Sequence, residues 1–194
     1  MASPEPLPPS ARETLLRGLR TDALVIGEVT LASGRRARYY VDARRALLRP
    51  AAFRAAGELV AAEARRLGAT AVGGPTLGAD PVACSVLSAA DDLTAFIVRK
   101  ERKEHGLQRW IEGPAIAPGE RVLVVEDVVT SGGSLVSAIG RVREEGVEIA
   151  GALAVLDRLA GGRDAIERAL GDGVPYVALF TIDDVYPERP DAAD

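Results

Sequence analysis

The segment Val122 to Ser134 reads Val-Leu-Val-Val-Glu-Asp-Val-Val-Thr-Ser-Gly-Gly-Ser. An apolar run leads into two carboxylates, then into a turn of small hydroxylated residues and glycines that opens a helix. Backbone N–H groups at a helix start cradle a phosphate, and the helix dipole favours its charge. Glycines 132 and 133 let the backbone approach such a ligand, and Thr130, Ser131 and Ser134 add hydroxyl donors. The Gly-Lys-Ser/Thr ending of the common nucleotide loop is absent, as is Gly-x-Gly-x-x-Gly. Glu126 and Asp127 would repel a phosphate placed directly on them. They suit sugar hydroxyls, or Mg²⁺ held through water. Taken alone, the pair could also be a solvated acidic turn capping a helix. The combination with the apolar strand and the hydroxyl-rich turn speaks for a ligand.

A second cluster is compositional. The chain has 24 Lys+Arg, of which only Lys100 and Lys103 are lysines, and its one histidine is His105. All three fall within six residues. Arg supplies positive charge everywhere else, so this segment offers what Arg does not: a compact mobile ammonium, and a proton that moves near neutral pH.

These residues need elements to position them. Ser10 can cap a helix running to about Arg20, with Leu15, Leu16 and Leu19 on one face. Glu28 to Leu31 and Arg38 to Val41 read as short strands about a Ser33-Gly34 turn. Pro50 can open a helix extending through Leu67. Strands follow at Ala71 to Gly74, Leu93 to Val98, Arg121 to Val125, Val147 to Leu156 and Val174 to Phe180. Helices are expected near Pro81 to Ala89, Gly133 to Glu145 and Asp164 to Leu170. Arg99 to Glu120, with three glycines and two prolines, reads as a long mobile loop. Alternating strands and helices predict a three-layer α/β fold with a central parallel sheet. Ligands in such sheets bind at the carboxyl ends of the strands, where the motifs above fall. The first ~40 residues break the alternation and predict a small cap on the sheet.

Composition bounds the function. The 194 residues suit one domain, with 47% hydrophobic and 27% charged residues. A net charge of −4 argues against a general nucleic-acid binder. The lone Cys84 excludes an internal disulfide and a Cys-rich zinc site. No apolar run is long enough to cross a bilayer, and Met1 to Ser10 lacks the order of a signal peptide, so a cytoplasmic setting with no membrane partner is expected.

Val124 to Ser134 resembles the phosphoribosyl diphosphate (PRPP) motif of the type I phosphoribosyltransferases. Arg99-Lys100-Glu101-Arg102-Lys103-Glu104-His105-Gly106 is similar to the catalytic loop of the orotate-specific branch of that family. Thr30 to Asp42 resembles its Ser-Gly turn and aromatic strand, with Tyr40 and Val41 at the base-packing pair. Val155-Leu156-Asp157-Arg158 resembles the strand end whose arginine meets the orotate carboxylate, and Gly73 to Pro81 its pyrophosphate loop.

The resemblance implies the type I phosphoribosyltransferase fold with a small N-terminal hood. It implies one domain over residues 10–184, hood mainly 10–45 and core 50–184, with a flexible N-terminus at 1–9 and a C-terminal tail at 185–194. It implies transfer of phosphoribosyl from PRPP to orotate with Mg²⁺, in a homodimer whose catalytic loop serves the partner's site. Lys103, His105, Arg99 and Asp127 would be catalytic. Arg99, Lys100, Lys103, His105, Glu126, Asp127, Val128, Val129, Thr130, Ser131, Gly132, Gly133 and Ser134 would bind PRPP, and Thr130, Arg158, Tyr40 and Val41 would bind orotate. No side chain would ligate the metal directly; Mg²⁺ would be held through PRPP and water near Glu126 and Asp127. The sequence departs from the pattern at Ala32, where many members have Lys, and at Leu77-Gly78, where many have an aromatic-Lys pair. Two other readings stay open at this level: a relative acting on a purine base or xanthine, and a regulator that binds PRPP without catalysis. The charge and the lack of spare length count against the second.

Overall fold

The computed structural model describes residues 10–30, 36–102, 110–117 and 119–190. The expected flexible start at 1–9, the Ser33-Gly34 turn with Ala32, and Lys103, His105 and Gly106 lie outside the described residues.

The chain opens on helix α1, Ala11–Gly18. Ser10 caps it as expected: Glu13 N–H donates to Ser10 Oγ (3.3 Å), and Ser10 N–H donates to the Glu13 carboxylate (2.8 Å). The helix continues through a wider turn, Leu19–Ala23, into strand β1, Leu24–Thr30, which pairs antiparallel with β2, Arg36–Val41. β1 begins four residues before the expected Glu28. Leu24 to Ile26 pair with Tyr39 to Val41, and a register shift beyond Ile26, beside Gly27, had broken the alternation in the sequence.

After the one-turn helix α2, Arg44–Leu47, helix α3 spans Pro50–Leu67. Strand β3 (Ala71–Pro75), helix α4 (Asp80–Ser85), β4 (Thr94–Val98) and the two-residue β5 (Ile111–Glu112) follow. Then come β6 (Arg121–Val129), α5 (Gly133–Glu144), β7 (Glu148–Asp157), α6 (Gly162–Leu170), β8 (Tyr176–Thr181) and the short α7 (Ile182–Val185).

Six strands form one sheet in the order β5-β4-β3-β6-β7-β8. It is parallel except at the edge, where β5 runs antiparallel to β4 inside the stretch expected to be all loop. The α/β fold with a central, mostly parallel sheet flanked by helices is therefore established. Period-two alternation sorts its residues between two apolar cores. Val72, Leu123, Val125, Leu153 and Val155 face α1, α3 and α4. Ala71, Val122, Val124, Ala152 and Ala154 face α5 and α6.

One correction bears on function. β6 does not stop at Val125; it runs to Val129, because the ten-residue β7 stays in register with it as far as Val129↔Asp157. The carboxylates thus sit inside a strand rather than beyond its end. At the C-terminus, Val185 and Tyr186 pack into the core although the tail was expected from residue 185, and Tyr186 meets the Tyr39 ring edge-on at 5.4 Å. No helix among the described residues is long and apolar enough to cross a membrane.

Candidate active site

A cavity of about 660 Å³ opens at the carboxyl ends of β3, β6 and β7. One wall is the end of β6 and the start of α5, with Glu126, Asp127, Val128, Thr130, Gly133 and Ser134 lining it. A smaller recess of about 150 Å³ adjoins it and takes in Val129, Ser131 and Gly132. Gly132 has φ 78°, and a Cβ there would lie 2.8 Å from the Gly162 carbonyl oxygen, so the turn admits only glycine. This wall presents the first N–H groups of a twelve-residue helix beside exposed hydroxyls, the arrangement that receives a phosphate.

The lining also includes Tyr40, Val41 and Arg158. Arg158 follows the last residue of β7. Its guanidinium lies 5.3 Å from the centre of the Tyr39 ring, and its Nε is buried with no hydrogen-bond partner among the described residues. A buried planar donor left unpaired beside an aromatic face suits a planar anion.

Glu126 is only 5% exposed. Burial pushes its carboxyl up to about 9, and the adjacent Asp127 carboxylate adds to the rise. Burial raises Asp127 as well, opposed by hydrogen bonds from Glu126 and from Val128 N–H (2.8 Å) and by the charge of Arg44. The free site therefore holds a proton on the pair. Among the described residues no group of three or more His, Cys, Asp or Glu could hold a metal ion. Two carboxylates facing a phosphate site fit Mg²⁺ that arrives with substrate phosphates and keeps its waters.

The remaining expected residues fall as follows. Lys100 lines the cavity. Arg99 is not in the lining; its guanidinium pairs with Glu112 at 3.1 Å. Sequence reasoning missed Arg44, Ser137 and Arg141, which also line the cavity. Ser134, Ser137 and Arg141 stand three and four residues apart, one polar stripe of α5, and that spacing was the available signal. Arg44 carried only the weaker signal of its neighbour Asp42, which it pairs with at 2.8 Å. The Leu77-Gly78 departure has a physical side. A Cβ on Gly78 would lie 2.4 Å from Asp127 Oδ1, so a side chain there would require the Asp127 carboxylate to turn aside.

A helix N-terminus beside exposed hydroxyls, an acid pair with raised pKa and a basic, aromatic wall share one cavity. The fold and the site together define a sugar-phosphate-binding α/β protein. The family model for the phosphoribosyl transferase domain matches residues 45–169. The orotate phosphoribosyltransferase of Corynebacterium glutamicum is 45% identical over 90% of this chain and 94% of its own. A crystal structure of the Mycobacterium tuberculosis orotate phosphoribosyltransferase with Fe(III) dicitrate superposes with a TM-score of 0.80 at 42% identity, covering 90% of this chain and 98% of that one. A second structure of that enzyme, in complex with PRPP, gives 0.75 at 38% identity with the same coverage. The chain belongs to the phosphoribosyltransferase family, and within it to the orotate phosphoribosyltransferases.

The acid pair sets a pH dependence. The folded pKa of Glu126 lies above its ordinary value of 4.5, so folding binds the proton more tightly. The resulting stabilisation is complete below about pH 4.5 and is lost as pH rises toward 9. Glu126→Gln removes that loss. The variant should be more stable than the wild type by about 0.5–2 kcal/mol at pH 8 and show no gain at pH 4, as read by denaturant unfolding of the ligand-free protein.

Proposed function

We propose that this chain transfers the 5-phosphoribosyl group of PRPP to orotate, giving orotidine 5′-monophosphate and pyrophosphate, a step of de novo pyrimidine synthesis. The observation that carries the reading is the pairing, across one cavity, of the β6–α5 phosphate wall with the Arg158 wall. The relatives named above are orotate phosphoribosyltransferases, and one of their structures holds PRPP.

In this reading, Thr130 to Ser134 fix the 5′-phosphate. Glu126 and Asp127 take the ribose hydroxyls and favour the positive charge that builds on the ribose ring as the C1–oxygen bond to diphosphate breaks. Arg158 and Thr130 orient orotate against Tyr40 and Val41, so that its ring nitrogen forms the new bond to C1. Arg99, Lys100, Lys103 and His105 neutralise the departing pyrophosphate. Arg44 and Arg141 add positive charge to the same cavity. Glu126 and Asp127 would hold Mg²⁺ through water, and the ion would supply further neutralisation of the diphosphate. The same proposal places the enzyme in the cytoplasm as a homodimer, with the loop of residues 99–106 serving the partner's site.

Loss of orotate absorbance in the presence of PRPP and Mg²⁺ tests the reaction, with adenine, hypoxanthine and xanthine as parallel substrates. Consumption of orotate alone is expected; turnover of a purine instead would overturn the assignment. Lys103→Ala should lower kcat by about 100-fold or more while leaving the melting temperature unchanged, because the role is leaving-group stabilisation and not packing. Full turnover in that variant would remove Lys103 from the mechanism.

A further inference from the structure

The Arg158 wall depends on two buried polar groups that do not line the cavity. Asp157, the last residue of β7, is completely buried, and Tyr176, the first residue of β8, is 7% exposed. A carboxylate with no access to water is costly unless its oxygens are hydrogen-bonded. Here each oxygen has one donor. Tyr176 O–H donates to Asp157 Oδ2 at 3.0 Å, and Leu159 N–H donates to Oδ1 at 2.8 Å.

The second bond fixes a turn. Leu159 has φ 55°, the only positive φ outside glycine among the described residues, and its side chain is half exposed. Packing does not account for a left-handed leucine at the surface; the Asp157 carboxylate holds its N–H. Between Asp157 and Leu159 stands Arg158, whose own N–H donates to the Val129 carbonyl at 2.9 Å. The backbone that launches the Arg158 side chain toward the Tyr39 ring is thus pinned on both sides. One pin is the end of β6, and the other is the Asp157 carboxylate. Tyr176 is braced in turn by the Arg163 guanidinium, 4.8 Å over its ring. Burial and the Asp157 carboxylate raise the pKa of the Tyr176 hydroxyl, so it stays a donor throughout the working range.

We propose that Asp157 and Tyr176 are positioning residues for orotate, acting through the turn that aims Arg158 into the cavity. The inference rests on the reading of Arg158 as the group that meets the orotate carboxylate. The phosphate wall hangs on β6 and α5, and among the described residues the side chains of this pair hydrogen-bond only to each other and to Leu159, so the two substrates should respond differently.

The test is steady-state kinetics of Tyr176→Phe, varying each substrate at saturating levels of the other. Removing one donor from a fully buried carboxylate should raise KM for orotate about 5–20-fold, with KM for PRPP within about twofold of wild type. Arg158→Gln alone should raise the orotate KM by more than that. Adding Tyr176→Phe to Arg158→Gln should then change the orotate KM by less than about twofold, because the two act through one contact. If Arg158→Gln raises the orotate KM and Tyr176→Phe does not, the positioning role is wrong while the Arg158 reading stands. An equal rise for both substrates, or a Tyr176→Phe effect that persists in the Arg158→Gln background, overturns it in the same way. An orotate KM indifferent to Arg158→Gln refutes both. Should Tyr176→Phe fail to fold, Asp157→Asn weakens both charge-assisted bonds and must give the same split.

Discussion

Two adjacent carboxylates in the central strand of the sheet, Glu126 buried and Asp127 half-buried, govern the rest of this site. β6 is apolar from Val122 to Val125, has β3 and β7 on its two sides, and then carries Glu126 and Asp127 into the cavity while still paired with β7. Water reaches little of Glu126. Charge on both groups at once is disfavoured, so the pair keeps a proton until something polar replaces the missing solvent. Sugar hydroxyls accompanied by a cation do that. The neighbours conform to the pair. The Asp127 carboxylate fills the space beside Gly78, and the charge of Arg44 acts on Asp127.

From that pair the cavity divides by chemistry. On the α5 side the ligands are backbone N–H groups and hydroxyls, which take phosphate. On the β2 and β7 side they are Tyr40, Val41 and the Arg158 guanidinium, a chemistry that suits a flat anion. A third region joins the segments on either side of residues 103–109 to α5. Trp110 lies between Arg102 and Arg141, with guanidinium carbons 5.3 and 4.7 Å from its ring centre. Its indole N–H donates to Glu144 and its backbone N–H to Glu145. Arg141 also donates to the Arg99 carbonyl at 2.9 Å. Helix α5, whose N-terminus lines the cavity, therefore also holds both stems of the lysine–histidine segment.

Much of this was legible in the sequence because local chemistry and tertiary role agree there. The Val122 to Ser134 pattern reads as strand, acid pair, turn and helix. Ser10 reads as a cap, and Pro50 as a helix start. The failures have common causes. β6 was cut short because acidic residues disfavour strands, and only the register with β7 shows that it continues. α2 and α7 are single turns, too short for periodicity to register. β5 exists only as an edge pairing with β4. Arg44, Ser137 and Arg141 reach the cavity through packing of separate elements. Asp157 reads as one more residue of a strand end, and its burial beneath Tyr176 requires β8 in place beside β7.

The chemistry of the site turns on the proton held by Glu126 and Asp127, and infrared spectroscopy of protein labelled with ¹³C at the side-chain carboxyls reads that proton directly. In the ligand-free wild type, a protonated carboxyl C=O band should persist at pH 7, fade only as pH approaches about 9, and be missing from Glu126→Gln. A wild-type spectrum showing only ionised carboxylates at pH 7, indistinguishable in the C=O region from the variant, would contradict it.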